Sequence, residues 1–556
     1  MIFRRIAALI LCLYIGFSLL PPVTATEEVT VDKETLLSGL FEADIATVRE
    51  AIAEGLITSE ELTQYYLDRI GQYNKNYNCF ITICDDALEV ARQRDAKIQK
   101  GEGDGLLFGV PIVIKDNIDL AGYHTTNGHK KDDSQIKDEN AAVVQSLIDE
   151  GAVIIAKTNM STDARNAQWS YSEIKGETKN AYNHHLSAGG SSGGSAVSVS
   201  LNMAMAALGT DSNSSLRIPA AFNGCVALRP TYGLLSRKGF TKLNSTRDTA
   251  GAITRTVMDQ AIMLDALTGG QYNYTQNLNK DALKGLRIGI LKELSYATKL
   301  DSHRTEKEID DEIEAAFANA VEELRACGAE VVEVSMPNLF TLANETFKSD
   351  AVALKEELYD AFMEMLRENN ISAVIFPTSL STPLRSGRDE NGKYWDIWDQ
   401  YLINNCRALS SSAKLPEICI PIGQHTLGAG IGMEIAAPRN CEQLLLDIAY
   451  SYTEVYDHRV VPTGAPDSYA AANQGSLREV LDDYYARLAA AEQETTEPTT
   501  EATTEATTPA TVPVLPPKTP EKRDILPIIA VSGAIVILSG WLVWDIRKNI
   551  RRHRHG

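Results

Sequence analysis

The chain has little that would hold a metal or grip a nucleic acid. Its 556 residues include eight cysteines, with no Cys-x-x-Cys and no His/Cys cluster at ligand spacing, so neither a metal nor another cofactor is expected. Cys79 and Cys84 flank the strand-like Phe-Ile-Thr-Ile. An odd separation along a strand puts two side chains on opposite faces, so buried free thiols are expected rather than a bridge. A formal net charge of −21 repels a phosphate backbone and excludes a nucleic-acid partner. No GxxxxGK[ST] loop is present to cradle phosphates, and no internal repeat suggests a solenoid. A Ser/His/Asp nucleophile motif is missing too, because His124, His184 and His185 lie outside every motif described below.

The two ends carry what a globular body lacks. Met1-Ile-Phe-Arg-Arg is followed by an apolar run from Ile6 to Leu20, then Pro21-Pro22 and small residues at Val23-Thr-Ala25. Basic, apolar and small residues in that order read as a signal peptide over 1–25. Ile525 to Trp544 carries no charged residue and is followed by Arg547, Lys548, Arg551, Arg552 and Arg554. Twenty residues at about 1.5 Å each match a bilayer core of roughly 30 Å. The basic tail, 545–556, belongs on the cytoplasmic side. Residues 525–544 are therefore expected as a transmembrane helix and as the chain's contact with the membrane. The Thr/Glu/Pro-rich stretch over 491–524 is expected as a disordered stalk. The body would then sit on the extracytoplasmic face of the membrane. Leu515-Pro-Pro-Lys-Thr-Pro520 has part of the layout of a sortase signal without its glycine.

Between these ends, 32–490 reads as one large domain with no internal linker. Asp32 and Thr58-Ser-Glu-Glu61 open helical runs. Strand-like and helical segments then alternate. Phe108–Ile114, Ala152–Ala156, Leu286–Leu291 and Ala373–Pro377 are apolar runs expected as buried strands. Ile418–Ile422 and Ile431–Ile435 are expected as a late pair, Ala141–Glu150 as a helix, and Ala196–Leu208 as another. The alternation predicts an α/β sheet with helices on both faces.

Two small-residue loops carry the chemistry. Leu186-Ser-Ala-Gly-Gly-Ser191-Ser192-Gly-Gly-Ser195 places serines among four glycines, so the backbone rather than packing sets their positions. The second loop is Leu208-Gly-Thr-Asp211-Ser-Asn-Ser-Ser215-Leu-Arg217. Upstream, Lys115 ends a strongly apolar strand, where burial would keep its amine neutral. A serine hydroxyl becomes a useful nucleophile only when a neighbour takes its proton, and a neutral lysine is such a neighbour.

Gly189–Gly194, Asp211–Arg217 and Val110–Asn117 together make the chain resemble the amidase signature family of serine amidases. Thr158-Asn159, Arg229-Pro-Thr231, Asp248-Thr-Ala-Gly251, Leu415-Pro416 and Pro421-Ile-Gly423 extend the resemblance over most of the body. The resemblance implies a mixed sheet flanked by helices. It also implies Ser215 as nucleophile, Ser191 as proton relay after a cis peptide, and Lys115 as base. The backbone N–H groups of Ser212, Asn213, Ser214 and Ser215 would form the oxyanion hole, while Ser192, Asp211 and Arg217 would brace the loops.

The chain departs from the family in two places. Asn213-Ser214 stands where the family has Gly-Gly, which puts the oxyanion loop's backbone in question. Asn213-Ser-Ser215 is also a glycosylation sequon. A glycan there would block the site, which favours a bacterial surface. The stretch from Met336 to Ile375 is short, which predicts an open pocket accepting bulky or peptide-like amides. The function expected is an exported, membrane-tethered amide hydrolase acting through an acyl-enzyme; the alternative is an inactive amidase-like surface binding protein. A tRNA-transamidase component would need cytoplasmic tRNA and fits the two ends poorly.

Overall fold

The computed structural model describes residues 29–130, 135–295, 309–349, 351–387, 405–467, 469 and 475–496. All of them fall in one compact unit, Met1–Thr496. The signal peptide expected at 1–25, the stalk beyond 496, and the span and tail at 525–556 lie outside the described residues. Among the described residues no helix is long and apolar enough to cross a membrane.

The chain enters through three helices, Lys33–Gly39, Ile45–Ala53 and Ser59–Tyr77. Asp32 caps the first by accepting from the Thr35 N–H at 3.0 Å. Thr58 and Glu61 close a capping box on the third, as their spacing predicts.

Eleven strands then form one mixed sheet. In chain order the strands of the molecule are β1 Phe80–Ile83, β2 Pro111–Lys115, β3 Val153–Thr158, β4 Tyr171–Ser172, β5 Gly176–Glu177, β6 Ala206–Asp211 and β7 Val226–Arg229. They continue with β8 Thr249–Thr254, β9 Arg287–Leu291, β10 Glu330–Val334, β11 Ala373–Pro377, β12 Glu417–Gln424 and β13 Gly430–Ala436. The large sheet runs β1-β3-β2-β6-β8-β7-β12-β13-β11-β9-β10, and β4 and β5 pair apart from it. β3, β2 and β6 are parallel, as are β11, β9 and β10, while the middle strands are antiparallel. The late pair expected from sequence is β12 against β13.

Period-two alternation divides the strand residues between packed layers. Ala373 and Ile375 join one apolar group, and Val374 and Phe376 join another. Both faces of the sheet are thus covered there. The expected helix over Ala196–Leu208 is shorter and earlier: it spans Gly193–Ser200, and β6 begins at Ala206. Met203 to Leu208 is apolar throughout, so composition alone does not separate a buried strand from a helix. The last helix, Leu477–Thr496, runs a few residues into the stretch expected as stalk. The cysteines among the described residues are all free, with Cys79 and Cys84 buried.

Candidate active site

β2 and β6 are parallel neighbours, with Ile114 opposite Leu208. Their ends deliver Lys115 and Thr210–Asp211 to one place. The glycine-rich loop arrives from the side and turns into the helix Gly193–Ser200. Two of its glycines have no room for a side chain. A Cβ on Gly190 would lie 2.5 Å from the Asn166 carbonyl oxygen and 2.6 Å from that of Trp169. On Gly194 it would lie 2.4 Å from the Asn159 carbonyl oxygen. Loop 159–169 therefore presses the serines against β2 and β6. The Gly190–Ser191 peptide is cis, as the resemblance implies.

Lys115 and Ser191 are completely buried. Lys115 Nζ lies 2.6 Å from Ser191 Oγ, 3.0 Å from Thr210 Oγ1 and 3.5 Å from the Thr210 carbonyl oxygen. Burial pushes the amine down to about 7, against the pull of the Asp211 and Asp248 carboxylates. Nζ donates to all three oxygens, and once neutral it can turn a lone pair to the Ser191 hydroxyl instead. Asn117 Nδ2 donates to Thr210 Oγ1 at 3.1 Å and fixes that hydroxyl. Ser192 Oγ donates to the Thr210 carbonyl at 3.2 Å, and its N–H donates to the Ser215 carbonyl at 3.2 Å. Ser170 Oγ accepts from the Gly193 N–H at 2.7 Å and donates to the Ser191 carbonyl at 3.2 Å.

Ser215 is nearly buried, with the residue 6% exposed. With Ser212 and Asn213 it lines a cavity of about 190 Å³. Other described residues around that cavity include Arg165, Asn166, Gln168 and Arg407. Asn213 and Ser214 stand where the resemblance has two glycines. Neither residue is among those with left-handed backbone, so neither needs the freedom of the glycine it replaces. Arg217 Nη2 donates to the Asn213 carbonyl at 2.5 Å, and the Leu216 N–H donates to Asp211 Oδ2 at 3.1 Å. The Ser212 hydroxyl bonds to the Asp248 carboxyl.

Beneath this loop lies a dry charge cluster. Arg217 Nε bonds to Asp211 Oδ2 at 3.2 Å, Arg229 Nη1 bonds to Asp211 Oδ1 at 2.9 Å, and Arg217 Nη1 pairs with Glu417. The residues are fully buried. Burial would raise the Asp211 carboxyl, but Arg217 and Arg229 hold it below the usual range. The expected brace of Asp211 and Arg217 is thus present. Sequence reasoning missed Thr210 as a partner of Lys115, gave Arg229 no role, and missed Glu417 and Glu434. Thr210 adjoins a recognised motif and was within reach. The two glutamates come from β12 and β13, and only the sheet brings them to Arg217.

A lysine whose amine burial brings down to about 7, touching a serine hydroxyl beside a cavity, is an arrangement that can activate a serine nucleophile. The chain belongs to the amidase family, the amidase signature enzymes: residues 61–352 match the family described as Amidase. It is 35% identical over 405 residues to one component of the glutamyl-tRNA(Gln) amidotransferase of Thermoanaerobacter pseudethanolicus, covering 70% of this chain and 75% of that one. Among solved structures it resembles the native peptide amidase of Stenotrophomonas maltophilia at 26% identity and a TM-score of 0.63, over 76% of this chain and 99% of that one. The corresponding component of the Thermotoga maritima glutamyl-tRNA(Gln) amidotransferase shares the fold at 23% identity and a TM-score of 0.64, over 78% and 99%.

Proposed function

We propose that the protein is a serine amidase that hydrolyses a carboxamide through an acyl-enzyme on Ser215. The observation that carries this reading is the 2.6 Å contact between Ser191 Oγ and a Lys115 amine held near neutrality by burial. Ser191 gives its proton to Lys115 Nζ and takes the proton of Ser215 Oγ, which attacks the amide carbonyl. The oxygen that becomes negative is held by the backbone N–H groups of Ser212, Asn213, Ser214 and Ser215. The proton on Lys115 then returns through Ser191 to the leaving nitrogen as the C–N bond breaks. Water repeats the attack on the Ser215 ester and releases the acid.

The substrate is a small or peptide-like amide. The cavity has a largely polar rim, and the helices Leu339–Lys348 and Val352–Glu368 occupy the short stretch before β11. Phe347 brings the first helix to that rim, with its ring 5.4 Å from the Arg407 guanidinium. The similarity to a peptide amidase supports a substrate of this class. The sequence patterns at 1–25 and 525–544 support export and tethering of the enzyme to the outer face of a membrane. The test is a hydrolysis screen over amides of graded size, run with the chain and with Ser215→Ala. Release of amine by the first and not the second is expected. Equal release by both contradicts the reading.

A further inference from the structure

Glu417 and Glu434 are the least explained charged groups in the molecule. Both are completely buried on adjacent antiparallel strands. Glu434 stands opposite Cys419, two residues along from Glu417, so the two carboxyls share one face of the sheet as diagonal neighbours. One oxygen of each and the Cys406 sulfur lie within 4.8 Å of one another. Glu417 Oε1 accepts from Arg217 Nη1, the Ser410 hydroxyl bonds to Glu417 and the Thr378 hydroxyl to Glu434, and the two carboxyls bond to each other, which takes one shared proton. Two ionised carboxylates this close in a buried interior repel.

We propose that Glu434 is held as the neutral acid and shares its proton with Glu417, so that the pair presents one negative charge to Arg217 and positions the oxyanion loop through it. This rests on the amidase reading above. Arg217 is the link: it touches Glu417, Asp211 and the Asn213 carbonyl. The proton also closes the charge count. Arg217 and Arg229 are two cations, Asp211 and Glu417 are two anions, and a neutral Glu434 leaves the cluster without net charge. Every other group facing the pair fits. Cys406 and Cys419 have thiols that burial pushes well up, and Thr378 and Ser410 are uncharged. Glu434 itself is held well above the usual range by burial and by Glu417. A metal ion is the competing occupant of the Cys406–Glu417–Glu434 group, but Arg217 Nη1 sits 3.8 Å from Glu434 Oε2 and fills the cation's place. Glu417 and Glu434 are positioning residues rather than groups that touch substrate.

Difference infrared spectroscopy on the full chain with glutamate carboxyls carbon-13 labelled reads this directly. A protonated glutamic acid band at neutral pH, lost in Glu434→Gln, is expected. Because the labelled wild-type chain gives the first half of that result, the test survives a variant that does not fold. Glu434→Gln keeps a donor for Glu417 and should keep kcat within about threefold, with Ser215 still labelled by a fluorophosphonate. Glu417→Gln should lower kcat by about tenfold with little change in KM, because the oxyanion loop loses its brace. The sign for stability follows from the raised acid. The folded chain holds a proton that the unfolded chain releases above about 4.5, so this contribution is full below that pH and is lost as pH rises. Melting temperature should therefore fall less with rising pH in Glu434→Gln than in wild type. The proposal is overturned by absence of the band in the wild-type chain, by its persistence in Glu434→Gln, or by one bound metal ion per chain that both variants lose. The band and the melting curves do not depend on turnover, so a chain that cleaves no amide would refute the amidase reading and the loop's oxyanion role while leaving the shared proton standing.

Discussion

Two buried regions lie side by side under the same loop and handle charge in opposite ways. Around Lys115 the protein removes charge: burial drives the amine toward neutrality, and its partners are hydroxyls and a carbonyl. Around Arg217 the protein concentrates charge, with three acids and two guanidinium groups in the same dry interior. Burial penalises an ion in both places. What differs is the supply of partners. The Lys115 site keeps carboxylates at second hand, so burial brings the amine down to about 7. The Arg217 site puts carboxylates in contact, so the ions persist in pairs. One region is thereby left free to exchange a proton, while the other holds the loop still.

The largest expected effect removes the reactive row itself. Ser215→Ala or Lys115→Met should lower amide hydrolysis on the order of 10³-fold or more with the fold retained, as circular dichroism and steady-state kinetics would show. Retained turnover in Lys115→Met would erase the distinction between the two regions. Breaking the charged region should instead cost stability. Arg217→Met leaves Glu417 buried without its cation and takes one of two from Asp211, and should destabilise by about 3–5 kcal/mol in denaturant unfolding. A loss of activity without any loss of stability would show that the charged region is part of the chemistry. The third prediction concerns pH. Lys115 must be neutral to accept a proton, so kcat/KM should fall as pH drops through about 7. The same shift has a stability sign: the unfolded amine stays charged up to about 10.5, so this contribution grows as pH rises from about 7 to about 10.5. The smallest effect is expected from Thr210→Val, which deletes the hydroxyl between Lys115 and Asn117. About 1 kcal/mol, or roughly fivefold in rate, fits the loss of one such hydrogen bond.

These two regions are unequally legible in the sequence. Lys115, Ser191 and Ser215 stand in motifs whose order along the chain is itself the signal, and the apolar run before Lys115 announces the burial that neutralises it. Asp211 and Arg217 lie within one such motif. Of their partners, Arg229 stands in a segment that carries the resemblance, and the two glutamates do not. Glu417 and Glu434 sit in ordinary strand patterns, and only the register of β12 against β13 and the approach of the helix Arg217–Phe222 bring them together. Of the sheet's central antiparallel strands, β12 and β13 are legible as a late pair, while the placing of β7 and β8 beside them is hidden, because pairing is a long-range property. The strand at Ala206–Asp211 mimics the end of a helix because an all-apolar run has no period to read. Residue identity at Asn213-Ser214 suggests a need for left-handed backbone, and neither residue occupies that region.

The central claim is that Ser215 is activated through Ser191 by a neutral Lys115. The most direct test is the rate at which a fluorophosphonate modifies the chain as a function of pH, with the modified residue located by mass spectrometry. The account predicts modification at Ser215 alone, with a rate that rises through a midpoint near 7 and collapses in Lys115→Met and Ser191→Ala. Modification at another residue, or a rate indifferent to pH and to Lys115, would contradict it.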